Sequence, residues 1–483
     1  MVFPIVGGDG KPTGYDIENS VRFNDDDSAA LSITPSSAST SRTKWTWSGW
    51  IKRGEVPTDD NNDYSRIFNV KADGNNYIIS GFLYSDGFNV TAREGNTEVL
   101  KFEPSRKFRD HSAWYHIVMA YDSTQGTARN RFRVYFNGEE DTTALATTPD
   151  QNTELVVLED VIHNIGRDNH GTAYYYDGYM ADVYLIDGTQ YAASDFGETN
   201  DNGVWIPKKF TGNFGTNGFK LEFKQTGTSQ NSSGIGADTS GNDNHLAVTN
   251  LAATDVTTDT PTNNFMTMNP LFTNSRGTFA EGNLKVTTNV QGSVPYGQVE
   301  FGNFAVNKGK WYYEAKVTSV GSGGSLGLGW NERAEFGNFT NGHNNGGSAG
   351  NVRYNSGGVL TIGSSHSQAT GVDSFTDGDI IGFALDLDNN KVYAYKNGNP
   401  QDDPTPDPDD NDGRAIVSAY NNYWTPWMSK DDTSNNATVE FNFGSPTFSI
   451  SSGNADANGY GNFEYSVPTN YYSLCTKNLA EYG

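Results

Sequence analysis

The sequence lacks disulfides and long apolar runs. Cys475 is the single cysteine among 483 residues, so no intrachain disulfide can form and packed cores have to supply the stability. No apolar run approaches the roughly 20 residues that a transmembrane helix needs. The opening stretch MVFPIVGGDG has no basic region and too short an apolar run for a signal peptide. We therefore expect a protein that is made in a cytoplasm, is not exported by the general secretory route and does not enter a membrane.

Basic residues are also scarce. Lys and Arg number 33 against 58 Asp and Glu, which gives a formal net charge of −25. Such a surface repels phosphate backbones and anionic lipid surfaces, so the charge argues against nucleic-acid and membrane partners. It does not indicate disorder, because aromatic residues reach 13% of the chain, and disordered acidic chains are poor in them.

Helical periodicity is nearly absent, and residues 191–198 (YAASDFGE) form the one stretch that suggests a helical turn. Short runs of alternating apolar and polar residues dominate instead, separated by turns rich in Gly, Asn, Asp and Ser. In residues 45–51 (WTWSGWI), for example, Trp45, Trp47 and Ile51 fall on one face of a strand. The pattern predicts antiparallel β-sandwiches.

One short sequence motif occurs twice in similar form, as NRFRVYFNGEE at 130–140 and as NKVYAYKNGNP at 390–400. Each copy is typical of a strand that runs into an Asn-Gly turn, which is the strongest short-range signal for a hairpin. An equivalent hairpin in each of two sandwiches explains the repetition. The repeated motif therefore indicates two domains and does not mark a functional site.

Longer motifs identify the two blocks. The second half contains, in order, GKWYYEAKV (309–317), LGLGW (326–330), GDIIGFALDLDNNKVYAYKNG (378–398) and VEFNFG (439–444). Their order and spacing resemble a SPRY domain. The first half contains WTWSGWIKRG (45–54), WYHIVMAYD (114–122), RFRVYFNG (131–138), HNIGR (163–167) and YDGYMADVYLIDG (176–188), which resemble the laminin-G or concanavalin A-like lectin sandwich. The resemblance implies an all-β fold, with two antiparallel β-sandwich (concanavalin A-like jelly-roll) domains joined by an extended connector rich in Gly, Ser, Asn and Thr.

The predicted domain boundaries follow from these blocks and from the composition between them. They are an N-terminal arm at 1–18, a laminin-G/concanavalin A-like sandwich at 19–225, the connector at 226–272, a SPRY-like sandwich at 273–450 and an aromatic, polar tail at 451–483. Scattered apolar residues along the connector predict that it packs on something and does not run free.

The connector and the tail carry a resemblance of their own. The stretches DTSGNDNHL (238–246), DTPTNNFMTMNPL (259–271) and YSLCTKNLAEYG (472–483) resemble segments that lie between and after such modules in tailed-phage structural proteins. The resemblance implies a virion protein of a tailed bacteriophage, made in the host cytoplasm, of the tail-fibre, tail-appendage or capsid-decorating type. Its implied partners are other virion proteins, further copies of the same chain, with a trimer as the first expectation, and a host surface glycan.

The sequence offers no constellation for catalysis or metal binding. Glycoside cleavage needs two carboxylates about 5–10 Å apart across the sugar, and Glu222 and Glu440 each stand alone on their strands. Asp386 and Asp388 share a strand face but precede a turn, where solvated acidic residues are ordinary. None of the seven histidines forms a metal motif, and calcium at a sheet rim stays open with no ligands identified. We therefore predict a chain that is not an enzyme, with no catalytic residues, no assigned metal ligands and, apart from the open question of calcium, no cofactor.

Two aromatic stretches, HGTAYYYDGY (170–179) and AYNNYWTPWMSKDD (419–432), have the composition of a sugar-binding surface. The alternative is that alternate members face the core while the others coat a protein interface. The candidate glycan or partner contacts are Tyr174, Tyr175, Tyr176, Tyr420, Tyr423, Trp424 and Trp427. The sequence thus favours a non-enzymatic structural protein of a phage particle, which serves assembly and host-surface attachment. A capsid-decorating protein, a glycan-binding lectin and a polysaccharide depolymerase are the alternatives.

Overall fold

The computed structural model describes residues 15–54, 64–168, 174–272, 277–289, 298–332, 350–363, 367–368, 372–402, 406–416, 423–430 and 435–483. The chain forms two compact units, of which the first ends at Thr262 and the second begins at Asn263. Both are built from sheets that are antiparallel apart from one short parallel pair in the second unit, which confirms the all-β prediction. No helix in the described residues is long and apolar enough to cross a membrane.

The first unit consists of two eight-stranded sheets and a small ribbon. Its strands are β1 Ser20–Phe23, β2 Ala30–Ile33, β3 Lys44–Arg53, β4 Tyr64–Lys71, β5 Tyr77–Leu83, β6 Phe88–Glu94, β7 Thr97–Phe102, β8 Tyr115–Asp122, β9 Phe132–Phe136, β10 Glu139–Glu140, β11 Leu145–Thr147, β12 His163–Ile165, β13 Gly178–Asp187, β14 Gly197–Thr199, β15 Trp205–Pro207, β16 Phe219–Leu221, β17 Ala247–Thr249 and β18 Val256–Thr257. Sheet A has the order β10-β9-β8-β3-β13-β1-β18, with β16 beside β13. Sheet B has the order β11-β7-β6-β5-β4-β12-β2-β17, and β14 pairs with β15.

Apolar residues from sheets A and B form one core between them. Strand β3 turns Trp45, Trp47 and Ile51 into this core, as its alternation predicts, and all three are fully buried. Trp45 stacks on Tyr121 of β8, with the ring centroids 5.4 Å apart. Burial of a large apolar side chain contributes about 1.5–3 kcal/mol, so these residues hold the sandwich together.

The predicted connector is mostly part of the first unit. Its β17 pairs with β2 and its β18 with β1, so both extend the sheets. Leu246 and Leu251 lie in the core of the unit. The Asp238 carboxylate accepts hydrogen bonds from two backbone amides of the polar turn and from the backbone amide of Lys220 in β16. The structure thus assigns residues 226–262 to the first unit and 263–272 to the second, because the apolar residues of this stretch complete sheet edges.

The second unit contains two further sheets. Its strands are β19 Thr278–Ala280, β20 Lys285–Thr287, β21 Gln298–Phe301, β22 Lys310–Ser319, β23 Leu326–Glu332, β24 Asn351–Asn355, β25 Val359–Ile362, β26 Ser367–Gln368, β27 Ile380–Asp386, β28 Lys391–Lys396, β29 Asn399–Pro400, β30 Arg414–Ala415, β31 Trp424–Lys430, β32 Thr438–Asn442 and β33 Tyr472–Ser473. Sheet C has the order β19-β20-β32-β22-β27-β28-β29, with β30 beside β28 and β33 beside β22. Sheet D has the order β21-β31-β23-β24-β25-β26. Trp311, Trp330 and Phe383 are fully buried between them.

The tail packs on the outward face of sheet C. Phe463 and Tyr471 join Tyr312 and two further tyrosines in a separate apolar cluster there. Glu314 of β22, which is completely buried, anchors the tail, since its carboxylate accepts hydrogen bonds from the backbone amides of Glu464 at 2.9 Å and Tyr465 at 2.8 Å. The predicted tail is therefore an integral layer of the second unit.

Helix is confined to short pieces in the described residues. The 3-10 turns are Ala128–Arg131, Ala193–Asp195 and Ala253–Asp255, and the single α-helix is α1, Thr476–Tyr482. The second turn lies in the stretch where the sequence suggested one. Helix α1 was missed, because seven residues are too few to display a helical period.

The two Asn-Gly hairpins are confirmed in equivalent places. Asn137 and Gly138 have φ of 49° and 82°, and Asn397 and Gly398 have φ of 49° and 76°, the left-handed conformations that a tight hairpin turn requires. Each asparagine side chain also binds the start of the neighbouring strand. The Asn137 Oδ1 accepts the backbone N–H of His116 in β8 at 2.7 Å, and the Asn397 Oδ1 accepts that of Ile380 in β27 at 2.8 Å.

Candidate functional site

A row of polar residues crosses the outward face of sheet B. Asn164 of β12 lies between core-facing neighbours, so its side chain points away from the sandwich interior. In the register of the sheet it stands opposite Ser32 of β2 on one side and Asn69 of β4 on the other. Arg66 reaches the same face because a bulge inserts Ile67 between it and the next paired residue of β4.

The amide groups in this row are buried and incompletely paired. Asn164 is 1% exposed, and within the described residues neither its Nδ2 nor its Oδ1 has a hydrogen-bond partner. The Oδ1 of Asn69 and the Nε of Arg66 are likewise buried without a hydrogen bond. A buried polar atom left in this state costs about 1–3 kcal/mol, so native proteins fill such places with water or a ligand.

Arg66 and Asp168 supply a pair of opposite charges beside the amides. The Arg66 Nε lies 3.8 Å from the Asp168 Oδ2, and both side chains are almost fully buried. The Asn69 Nδ2 donates to the Asp168 Oδ1 at 3.2 Å, and the Arg66 Nη1 donates to the Asn89 Oδ1 at 2.9 Å. Burial lowers the pKa of the Arg66 guanidinium against the opposing effect of Asp168.

Two half-buried aromatic rings border this group. The Arg66 guanidinium lies 4.4 Å from the ring centroid of Tyr64, and Tyr64 meets Tyr174 edge to face with the centroids 5.1 Å apart. We call Tyr64, Arg66, Asn69, Asn164, Asp168 and Tyr174 the Asn164 site. It combines neighbouring hydrogen-bond donors and acceptors with aromatic rings, which is the chemistry that recognises hydroxyl groups on an apolar sugar ring.

The structure separates the three tyrosines predicted as contacts in the first unit. Tyr174 belongs to the Asn164 site. Tyr175 is half-buried, with the Arg167 guanidinium 5.7 Å from its ring centroid. Tyr176 is fully buried, and its hydroxyl donates to the carbonyl of Lys52 at 2.7 Å. The prediction that Tyr176 offers a surface contact is therefore corrected, because its ring belongs to the core.

The second aromatic stretch divides in the same way. Tyr423 is 45% exposed, whereas Trp424 and Trp427 are 1% and 0% exposed. Trp424 lies in the core of the second unit, and Trp427 packs on Phe301 beneath the surface. The prediction of surface contacts is corrected for these two tryptophans. Tyr420 lies outside the described residues, and the role of Tyr423 stays a prediction.

Ser48 and His116 form a hydrogen bond in sheet A, but its direction is the reverse of the one that nucleophilic catalysis needs. The Trp205 Nε1 donates to the His116 Nδ1 at 3.1 Å, so that nitrogen is unprotonated. The His116 Nε2 must then carry the proton and donate it to the Ser48 Oγ, 2.9 Å away. A histidine that donates to serine cannot act as its general base. Burial also lowers the pKa of His116 to about 3.

Asp386, the last residue of β27, stabilises the turn that contains Asp388. The Asp386 Oδ1 accepts the backbone N–H groups of Asp388 and Asn389 at 3.0 and 2.9 Å, and Lys310 lies 3.0 Å from its Oδ2. Hydrogen bonds from Asn389 and Lys310 hold the pKa of Asp386 below its ordinary value despite burial. A general acid needs the opposite shift, so the geometry of this pair does not favour glycoside cleavage.

No group of three or more His, Cys, Asp or Glu side chains in the described part of the chain could hold a metal ion. The rim calcium site that the sequence left open gains no ligand set from these residues.

Sequence reasoning missed five members of the Asn164 site, namely Tyr64, Arg66, Asn69, Asn164 and Asp168. The motif HNIGR was used only as a strand, although its asparagine sits at an outward position. A polar amide at the outward position of two paired strands is a usable signal, but only when the pairing of β4 with β12, about 95 positions apart in the chain, is known.

Family models match each unit separately. A model described as the concanavalin A-like lectin/glucanases superfamily matches residues 25–194, and a SPRY domain model matches residues 310–422. No curated protein matches the chain.

Solved structures similar to the chain include three from different sources. The SPRY domain of human HERC1 is 16% identical, with a TM-score of 0.25, over 33% of this chain and 87% of that one. A heptameric SAP-like pentraxin from Limulus polyphemus is 14% identical, with a TM-score of 0.26, over 37% and 80%. A putative carbohydrate binding protein from Bacteroides ovatus is 15% identical, with a TM-score of 0.32, over 49% of this chain and 58% of that one. At these values the similarities carry no argument about function. Together with the family models, the two sandwiches establish that the chain carries a lectin-like domain of the concanavalin A type followed by a SPRY domain.

Proposed function

We propose that the first unit binds a carbohydrate at the Asn164 site and that the chain acts by binding and not by catalysis. The observation that carries the proposal is the Asn164 carboxamide, buried at 1% exposure with neither polar atom paired within the described residues. A carboxamide presents one donor and one acceptor side by side, which matches a pair of neighbouring sugar hydroxyls.

The surroundings of Asn164 support a sugar over an apolar ligand. Asn69 adds an acceptor and Arg66 a donor, so the open groups are balanced between the two kinds. Tyr64 and Tyr174 offer rings at the border. Because the amides are buried, a ligand reaches them only when side chains at the border turn aside. The ligand hydroxyls then form the hydrogen bonds that the amide atoms lack.

A glycan array probed with the full chain tests this proposal. Asn164→Leu removes the polar atoms at nearly constant volume, so folding stability should stay level or rise while glycan binding falls by more than about tenfold. Asn351→Leu is the matched control, since Asn351 in the second unit is also buried with both amide atoms unpaired in the described residues. Binding that survives Asn164→Leu, or that is lost only in Asn351→Leu, contradicts the proposal and leaves Asn164 as a site for buried water.

We propose further that the chain is a structural component of a tailed phage particle, of the tail-fibre or appendage type, where glycan binding attaches the particle to the host surface. The support is the resemblance of residues 238–246, 259–271 and 472–483 to segments of phage structural proteins. A capsid-decorating position is the alternative. Electron microscopy of particles that lack the chain tests this role, and particles with a complete tail and capsid surface would contradict it.

The expected partners are other virion proteins and further copies of the chain. Homo-oligomers mostly have closed symmetry, and a homotrimer is our first expectation for a fibre. Native mass spectrometry of the purified chain checks it, and a monomer at micromolar concentration contradicts it.

Incubation with polysaccharides that the chain binds tests the non-catalytic part. We expect no release of reducing ends. Release that Asp386→Asn abolishes would establish a depolymerase instead and would place its chemistry in the second unit.

A further inference from the structure

The Asn164 site holds one positive and one negative side chain, and their arrangement bears on which sugars fit. Arg66 and Asp168 are 3% and 2% exposed, with 3.8 Å between the Nε and the Oδ2. Asp168 is fixed in place, since its carboxylate accepts a hydrogen bond from Asn69 and its backbone N–H donates to the carbonyl of Tyr174 at 2.8 Å.

We propose that Asp168 is a specificity-determining residue, which neutralises Arg66 and makes the Asn164 site select uncharged sugar units over acidic ones. This inference rests on the proposed function and names its ligand class. An acidic sugar would have to bring a second carboxylate to a guanidinium that Asp168 already faces. At low effective dielectric the repulsion between the two carboxylates disfavours that complex strongly.

The open hydrogen-bonding groups of the site are two donors, the Asn164 Nδ2 and the Arg66 Nε, and two acceptors. The acceptors separate the ligand classes, because a hydroxyl can pair with both kinds of group and an anionic group only with the donors. The Oδ1 atoms of Asn69 and Asn164 are acceptors without donors in the described residues. A hydroxyl can donate to them, whereas a carboxylate, sulfate or phosphate has only acceptors and would leave them unpaired. Arg66 is also partly occupied, because its Nη1 donates to Asn89, which weakens it as a clamp for an anion.

The net charge of the whole chain adds to this selection against acidic sugars, which we call the filter. The net charge of −25 repels an anionic polymer at a distance, and only a site with a free cation would overcome this repulsion. Arg66 is not such a cation while Asp168 is ionised beside it.

Matched pairs of polymers test the proposal. Polygalacturonate, alginate and hyaluronan are compared with their carboxyl-reduced forms, which keep the backbone and lose the charge. We expect the full chain to bind at least one reduced polymer at least about tenfold more tightly than its acidic parent. Equal or tighter binding of every acidic parent overturns the filter.

Asp168→Asn provides the decisive variant. It keeps the shape and one acceptor but leaves Arg66 unopposed, so binding of the acidic parent should rise by about tenfold or more and fall again with added salt. An unchanged ratio of acidic to reduced binding overturns the proposal. Because an unpaired buried arginine endangers folding, the double variant Arg66→Gln/Asp168→Asn serves as second test. It removes both charges, and its preference for reduced polymers should be weaker than that of the unmodified chain; an equal preference contradicts the filter.

The outcomes separate the two proposals. Glycan binding that Asn164→Leu abolishes, without preference for uncharged polymers, retains the proposed function and overturns the filter alone. Absence of binding to these polymers and to every arrayed glycan overturns the proposed function and the filter with it.

Discussion

The two units share a strand order and differ in what covers it. In the first unit the order β10-β9-β8-β3-β13-β1 corresponds to β29-β28-β27-β22-β32-β20 in the second, and each begins with the same Asn-Gly hairpin. The outward face of sheet A is covered by a ring cluster that includes Phe196, Phe210 and Trp205, from residues 191–214 within the unit. The outward face of sheet C is covered by the tail instead.

The buried polar groups differ in kind as well. Among its described residues the first unit carries three buried, neutral histidines, and burial lowers the pKa of His116 to about 3 and those of His111 and His163 to about 4. The second carries Glu314, whose pKa burial raises. Burial also raises the pKa of Asp182 in the first unit, so among the described residues it is the three histidines, two of them on strands β8 and β12, that set the titration of the two units apart.

Acid should separate the two units most strongly. The three histidines have ordinary pKa values near 6.5 in the unfolded chain. Below that pH they are therefore protonated in the unfolded first unit but stay neutral in the folded one. Its stability is therefore full above pH 6.5 and falls on acidification. The loss is about 1.4 kcal/mol per pH unit for each histidine, or about 4 kcal/mol per pH unit for the three together. Hydrogen exchange measured peptide by peptide between pH 7 and pH 5, corrected for intrinsic rates, checks this.

The second unit is the internal reference for the acid experiment. Its two histidines, His343 and His366, lie outside the described residues. The raised pKa of Glu314 has the opposite sign, since the folded state holds that proton more tightly, and it favours the folded unit in acid. Loss of protection in both units in parallel contradicts the comparison.

Glu314→Ala should weaken the second unit alone. It removes the acceptor for the backbone amides of Glu464 and Tyr465 and for the Tyr312 hydroxyl. Leaving such buried donors unpaired should cost about 3–5 kcal/mol. Exchange protection of residues 451–483 reports the loss, with Glu481→Ala on the exposed side of helix α1 as the control. A tail that keeps its protection would show that the apolar cluster suffices to hold it.

The hairpin asparagines should matter equally in both units. Asn137→Ala and Asn397→Ala each place an alanine, which tolerates the left-handed conformation less well than asparagine, in the turn. Each also removes the side-chain hydrogen bond to the start of the neighbouring strand, β8 or β27. We expect each to lower the free energy of unfolding by about 1–2 kcal/mol in its own unit. Denaturant unfolding followed by hydrogen exchange measures both, and a several-fold difference between them would show that the hairpins are not equivalent.

Tyr423→Ala should have the smallest effect, within about 0.5 kcal/mol of unfolding free energy, as for other exposed positions. The neighbouring Trp424→Ala should cost about 3–5 kcal/mol because it empties a core position. Thermal unfolding of the pair measures the contrast. A large loss of stability in Tyr423→Ala would mean that its ring is covered in the folded chain.

Local signals explain why much of the fold was accessible from sequence. Two-residue alternation put Trp45 and Trp47 on one face of a strand, which the structure turns to the core. The Asn-Gly pairs marked two turns that the structure confirms. The candidate contacts were less accessible. Tyr423 and Trp424 are adjacent and similar in composition, yet one is exposed and the other buried. Composition cannot assign a face where a strand begins, since a shift of one residue exchanges the two faces.

The sequence by itself determined the β architecture, the two domains, the hairpins and the absence of disulfides, because each depends on residues near one another in the chain. Only the tertiary structure decided where the connector ends, what the tail covers and which polar groups meet. Asn69 and Asn164 become neighbours through the pairing of β4 with β12, and Glu314 reaches the tail through the order of sheet C. Such contacts depend on long-range pairing and on the burial it creates, and neither is written in any short stretch of the chain.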